Sequence, residues 1–301
     1  MHRRKLGRGI AAIAILAATA LGAACTPTPG GPQPPAVPSG SFTFKAISAK
    51  NTSSNDECGL LCLDNDEPYP INIGFTVKIG QANSATAQAV VGTPAWDWWN
   101  LFDQGPDQGD TYTFAAGGEQ APVTMSNIPL LDIVDLAWTT NKLTVAGVWS
   151  WAYEGDVDPI GPAGMATTIA NAIKAALNAT LAVGTLPNDP NQIVNMIIGV
   201  ITSNLFPTIG SFFAGLVPWG DDAMGSRMYI GLGVRGTLKS IIDGTVGAVT
   251  FPSVAIPVVS SPPDINGGAI FSLGNQSFNN QAMTNGGVQG QHDYAFQLTQ
   301  N

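Results

Sequence analysis

The amino-acid sequence predicts a mainly β protein, an antiparallel β-sandwich that carries an α-helical insertion. Several short segments alternate apolar residues with polar or small ones, and 35 glycines and 22 prolines separate such segments along 301 residues. In a central stretch, at about residues 162–217, the apolar residues change to helical spacing. With 45% apolar residues, the chain can bury a sizeable core.

The clearest strand lies at residues 71–79, where Ile, Ile, Phe, Val and Ile alternate with Asn, Gly, Thr and Lys. A period of two with one apolar face is typical of a half-buried strand. Residues 227–234 repeat the pattern late in the chain, and Phe42 and Phe44 give a shorter version of it. We expect strands at all three places.

Residues 133–153 predict a β-hairpin. Val134, Leu136 and Trp138 alternate before a polar turn, and a second alternating run extends from Leu143 to Tyr153. Asn141 lies between them and tolerates positive φ in a tight turn.

The helical insertion begins with a stretch in which Ile169, Ile173 and Leu177 recur at helical spacing. Asp189 and Pro190 form the start signal of a second helix, because Asp caps and Pro suits the first helical position. A third, short segment covers residues 209–217. Core packing is the first interpretation of these apolar helices. A groove for a partner or lipid and insertion into a membrane are the alternatives.

The first 24 residues predict an export signal. Arg3, Arg4, Lys5 and Arg8 precede an apolar stretch at residues 10–24, which is shorter than the roughly 20 residues that span a bilayer. Residues 21–25, Leu-Gly-Ala-Ala-Cys, resemble the lipobox of bacterial lipoproteins, although the Leu lies one residue further from the Cys than in that pattern. The low charge and the richness in Ala, Gly, Pro and Thr are similar to exported proteins of high-GC bacteria.

This resemblance implies lipid attachment at Cys25, a membrane partner and a location at the cell surface, lipid-anchored or released. Residues 25–40 are Pro-rich and form a semi-rigid tether, and residues 41–301 form the domain. Ordinary cleavage at a small-residue site, without lipid, is the alternative.

The chain contains three cysteines, an odd number for an exported protein. Cys58 and Cys62 are close enough in sequence to form a disulfide in an oxidising compartment, which leaves Cys25 for acylation. Metal binding by Cys58 and Cys62 is the rival interpretation, but only His292 remains as a histidine ligand after the signal is removed.

The charge of the chain disfavours nucleic acid as a partner. All 21 acidic residues lie after residue 50, whereas four of the 12 lysines and arginines lie in the first eight residues. Without the signal, 8 basic and 21 acidic residues remain, a net charge of −13. Such a surface repels phosphate backbones.

Four acidic loops form a candidate calcium site, because Ca²⁺ takes six to eight oxygen ligands and these loops lie at predicted element ends. The candidate ligands are Asp56, Glu57, Asp64, Asp66, Glu67, Asp156, Asp158, Asp221 and Asp222. Solvated acidic loops without metal are the alternative.

Trp96, Trp98 and Trp99 form a candidate ligand-binding cluster, because exposed indole faces stack on sugar rings or lie at membrane interfaces. Burial at the end of the core is the alternative interpretation of these rings.

No recognisable catalytic motif is present. A nucleophile elbow, a phosphate-binding loop and a dinucleotide fingerprint are all missing, and a histidine-based triad would depend on His292 beside Asp293. We therefore expect a cell-surface binding module, supported by calcium, with an unknown surface ligand or protein as its partner. The alternatives are a membrane-active protein that uses the helical insertion and an uncharacterised hydrolase.

Overall fold

In the computed structural model, two β-sheets pack face to face and helices cover the outer face of one of them. The structure describes residues 34–54, 68–93, 108–154, 160–207, 222–246, 250–251, 264–285 and 290–301. The described residues from Pro35 onward belong to one unit.

The strands are β1 (Ser39–Ser54), β2 (Pro68–Lys78), β3 (Thr86–Val91), β4 (Thr111–Thr113), β5 (Val123–Pro129), β6 (Thr144–Glu154), β7 (Asp222–Leu232), β8 (Thr250–Phe251), β9 (Ile265–Ser272), β10 (Gln276–Thr284) and β11 (Gly290–Gln300). The helices are α1 (Ile160–Ala179), α2 (Pro190–Val200), continued by a π-helical turn at Ile201–Leu205, and α3 (Gly236–Val246). Short 3-10 helices lie at Gly118–Gln120, Ile133–Ala137 and Leu181–Val183.

Sheet A has the order β10-β11-β1, and both β4 and β5 pair with the remaining edge of β1. Sheet B has the order β3-β2-β6-β7-β9-β8. Every pair of strands is antiparallel except β7 with β9, which is parallel. The predicted β-sandwich with a helical insertion is confirmed.

Sheet B is buried on both faces. Ile73, Trp149 and Ile230 point to one face and pack in a core shared with the helices. Val148 and Tyr229 point to the other face and pack against sheet A. The prediction of a half-buried strand at residues 71–79 was therefore incomplete, because every β2 residue from Pro68 to Phe75 is buried.

The polar face of β2 is buried because its small residues allow sheet A to approach closely. A Cβ on Gly74 would lie 2.1 Å from Cγ1 of Val123 in β5, so only glycine fits there. Asn72 is fully buried, and its Nδ2 donates to the carbonyl oxygen of Ala121 at 2.8 Å.

The helical insertion lies between β6 and β7, as predicted. Ile169 and Ile173 of α1 and Ile193 and Ile197 of α2 are fully buried in the core on sheet B. The third predicted segment, residues 209–217, lies outside the described residues. Among the helices that the structure describes, none is both long and apolar enough to cross a membrane.

The predicted hairpin at residues 133–153 is wrong in its first half. Residues Ile133–Ala137 form a 3-10 helix, because the Asp132 side chain accepts from Ile133 N–H while the Asp135 side chain accepts from Asp132 N–H. Asn141 does not adopt positive φ; its Nδ2 donates to the carbonyl oxygen of Asp135 at 2.9 Å. The second half of the prediction is strand β6. Helix α3 had no counterpart in the sequence analysis.

The strands of the two sheets share two ends. We call one of them the loop end; it is marked by Ser54, Pro68, Glu154, Asp222, Thr284 and Gly290. We call the other the N-terminal end; it is marked by Ser39, Lys78, Pro129, Thr144, Leu232 and Gln300. Asn266 of sheet B hydrogen-bonds Thr284 of sheet A at the loop end, and Leu131 N–H donates to Gly233 O at the N-terminal end.

We predict that the helical insertion is part of the cooperative core. Replacement Ile173→Ala removes a fully buried side chain between α1 and sheet B, so it should lower the free energy of unfolding by about 2–5 kcal/mol. Val183→Ala, on a residue 63% exposed, is the control and should change it by about 0.5 kcal/mol or less. Chemical denaturation measures both, and equal effects would contradict the packing described here.

Candidate functional site

Nearly all the residues that the sequence marked as functional lie outside the described residues. They are Cys25, Cys58 and Cys62, the candidate calcium ligands Asp56, Glu57, Asp64, Asp66, Glu67, Asp156, Asp158 and Asp221, and the tryptophans Trp96, Trp98 and Trp99. Of the candidate calcium ligands, only Asp222 lies within the described residues, as the first residue of β7.

The described backbone brings the borders of three acidic loops together at the loop end. Glu154 of β6 is paired with Pro68 of β2 on one side and with Asp222 of β7 on the other. Paired residues of neighbouring strands are about 5 Å apart, so the three strand ends lie within about 10 Å. Each continues in sequence into an acidic loop, at 64–67, at 155–158 and at 221.

The long connections of the sandwich also border the loop end. Segments 55–67, 94–107, 155–159, 208–221, 252–263 and 286–289 adjoin described residues there, among them Ser54, Gln108, Asp264 and Gly290. Together these segments contain 11 of the 21 acidic residues and no lysine or arginine. The strongest negative charge of the chain is therefore attached to one end of the domain.

Within the described ranges, no group of three or more His, Cys, Asp or Glu side chains is placed to hold a metal ion. Asp264, which the sequence analysis did not select, joins the loop end because its carbonyl oxygen accepts from Ser226 N–H at 2.7 Å.

His292 and Asp293 do not form the dyad that a histidine-based triad would need. His292 is fully buried on the inner face of β11, and the next residue of a strand points to the opposite face. Between the two sheets, Arg227 of β7 donates from Nε to Ala282 O at 2.9 Å and from Nη1 to Gln281 Oε1 at 3.2 Å. These bonds join β7 of sheet B to β10 of sheet A.

A second feature is a cleft of about 200 Å³ between the edge strands β3 and β5. Gln88 crosses it, because its Nε2 donates to Thr124 O at 2.8 Å, and the hydroxyls of Thr76 and Thr86 are 2.8 Å apart on one wall. Its lining has no charged side chain; it consists of Gly74, Phe75, Thr76, Thr86, Ala87, Gln88, Thr124, Met125 and Ser126. Such a lining can hydrogen-bond a small neutral polar molecule.

A third feature is a polar clamp at the N-terminal end, formed by Asp132, Asp135 and Arg235. Fully buried Asp135 pairs with Arg235 at 2.8 Å, and Arg235 Nε donates to Leu130 O at 2.9 Å. Hydrogen bonds from the backbone N–H groups of Leu238 and Ile133 lower the pKa of Asp132 below its ordinary value of 3.8. The clamp thus joins the 3-10 helix at Ile133–Ala137 to the start of α3.

A glycine completes this clamp. Gly236 has φ +57°, and a Cβ there would lie 2.0 Å from Asp132 Oδ2, so a larger residue would displace the carboxylate.

The pattern of the sequence predicted neither the cleft nor the clamp. The cleft depends on which strands are at sheet edges, for which the sequence holds no local signal. The clamp had a signal in the spacing of Asp132 and Asp135, which is that of a helix N-terminus with reciprocal capping.

Comparisons of this chain with models of protein families, with curated proteins and with solved structures found no match.

We predict that the clamp stabilises the fold through its buried carboxylate. Arg235→Met removes the counter-charge of Asp135 and should lower the free energy of unfolding by about 2–3 kcal/mol. This is less than the loss of a fully buried ion pair costs, because Arg235 is partly exposed. Lys239→Met breaks the solvent-exposed pair with Asp243 and should cost about 0–1 kcal/mol. Urea denaturation of both variants tests this, and a smaller loss for Arg235→Met than for Lys239→Met would contradict it.

Proposed function

We propose that the chain is an exported, lipid-anchored surface protein whose loop end binds a ligand, with Ca²⁺ joining the acidic loops. The observation that carries this proposal is the polarity of the domain. The N-terminal segment enters β1 at Ser39, at one end, while the acidic connections border the other.

This polarity suits a binding module on a membrane. A chain anchored through Cys25 would present the loop end away from the bilayer, where a partner outside the cell has access to it. Loops at one end of a sandwich are also a common place for binding residues, because the strands hold them while their sequences vary.

Calcium is supported by the close approach of three loop borders at Pro68, Glu154 and Asp222. The connections contain 11 carboxylates and no lysine or arginine, and hard oxygen ligands from several loops are what Ca²⁺ requires. The tryptophans at 96, 98 and 99 belong to one of these connections and are the proposed contact with the ligand.

The alternative of a membrane-active insertion has less support. The apolar faces of α1 and α2 are already buried against sheet B, so their release would expose the largest core of the domain.

We predict that calcium raises the thermal stability of the mature chain. At a concentration 100 times its dissociation constant, Ca²⁺ adds about 2.7 kcal/mol, or about 5–10 °C for a domain of this size. Scanning calorimetry in millimolar Ca²⁺, in millimolar Mg²⁺ and in excess chelator measures the shift.

The variants Asp156→Asn and Asp222→Asn should reduce the calcium-dependent shift. Asp189→Asn, at an exposed carboxylate directly before α2, is the matched control and should keep it. An equal melting temperature in Ca²⁺ and in chelator would contradict the calcium part of the proposal.

A further inference from the structure

The N-terminal end of the domain has features of a surface that rests on a membrane. The chain enters the domain there, since Leu130 N–H donates to Pro38 O at 2.8 Å directly before β1. In the proposed anchored state, Pro38 follows Cys25 by 13 positions, a stretch that reaches about 40 Å when extended as polyproline II. The anchored domain is thus held close to the bilayer.

The large exposed apolar side chains of the described residues all lie at this end. Ile133 is 41% exposed and Val134 is 64% exposed, and they follow Leu130 by three and four residues. Val183 is 63% exposed and belongs to the 3-10 helix whose Leu181 carbonyl accepts from Gly80 N–H, two residues after β2 ends. We call Ile133, Val134 and Val183 the apolar rim.

The clamp holds part of the apolar rim in a fixed position. Asp132 caps the turn that carries Ile133 and Val134. Arg235 pairs with Asp135 of the same turn and also donates to the backbone carbonyl oxygen of Leu130. The capped turn therefore holds two β-branched apolar side chains in a solvent-exposed position. Half-buried Trp138 follows this turn, and tryptophan suits the headgroup region of a bilayer.

Anionic headgroups are better matched by the charges around the apolar rim than by the charges of the loop end. Arg235 and Lys239 each pair with a carboxylate, whereas Lys78 and Lys142 form no ion pair with any residue that the structure describes. The ammonium group of Lys142 is 4.0 Å from the position of a Cβ on Gly80, close to the turn of Val183. The loop end, whose connections contain 11 carboxylates, is repelled by the same membrane.

We propose that the N-terminal end of the domain docks on the bilayer to which the chain is anchored, with the apolar rim among anionic phospholipid headgroups. This inference rests on the proposed function, because the proposed lipid anchor is what keeps the domain near the bilayer. Docking fixes the orientation of the domain, so the loop end faces away from the membrane. Weak contacts are sufficient, because the tether supplies a high effective concentration.

The test measures contact between single residues and lipid. The mature chain, with Cys25→Ser and an N-terminal hexahistidine tag, is held on nickel-chelating vesicles of phosphatidylcholine and phosphatidylglycerol that contain brominated lipid. A fluorescent amino acid is incorporated at residue 134 or, as the control, at exposed residue 175 on α1. We expect bromolipid to quench the probe at 134 at least twofold more than the probe at 175.

A charge variant provides the second arm. Ile133→Asp with Val183→Asp should reduce quenching at 134 to the level of the control, while Asn171→Asp with Ala175→Asp adds the same charge on exposed α1 positions and should leave it unchanged. Thermal unfolding of each variant confirms that it is folded.

Equal quenching of the probes at 134 and 175 would overturn the docking proposal. So would the absence of quenching at 134 when the tagged chain is held on the nickel-chelating vesicles. Shielding of the 134 probe at rising protein concentration without vesicles would assign the apolar rim to a second copy of the chain and also overturn it. Mass spectrometry of the natural mature protein tests the anchor separately: a free Cys25 thiol removes the lipid anchor, whatever the quenching shows.

Discussion

The burial of sheet B on both of its faces is the constraint on which the rest of the structure depends. Helices α1, α2 and α3 cover one face, and sheet A covers the other. The interior strands β2 and β6 therefore have no solvent-exposed face on which to place a functional residue. Binding residues must come from the strand ends, from the edge strands or from the connections.

The directions of the strands then place different kinds of residues at the two ends of the domain. The acidic connections border the loop end, whereas the N-terminal end holds the start of β1, the clamp and the apolar rim. The two ends differ in charge and in hydrophobicity, and each difference favours the same orientation of the domain in the proposed anchored state. The proposed ligand binding at the loop end and the proposed membrane contact at the N-terminal end would thus both follow from one topology.

The sequence predicted the elements whose side chains repeat with a clear period. Ile71 to Ile79 predicted β2, and Ile169, Ile173 and Leu177 predicted α1. It did not predict that Asn72 and Gly74 face a second sheet, because small and polar residues also suit a solvent-exposed face. Val134, Leu136 and Trp138 alternate like a strand, but reciprocal capping by Asp132 and Asp135 overrides that pattern. The candidate site residues occur in loops, where no periodicity reports position, and they lie outside the described residues.

Native-state hydrogen exchange of the backbone amides tests the central claim, the middle position of sheet B, most directly. Amides of Ile71–Val77 and Val145–Ala152 should exchange only by global unfolding, with an opening free energy equal to that from denaturation, and edge strand β3 should exchange more easily. The contrary result is rapid exchange of β2 and β6 while β1 and β11 stay protected. That result would show that the helices detach from sheet B as a separate unit and that the sheet is not the centre of one cooperative core.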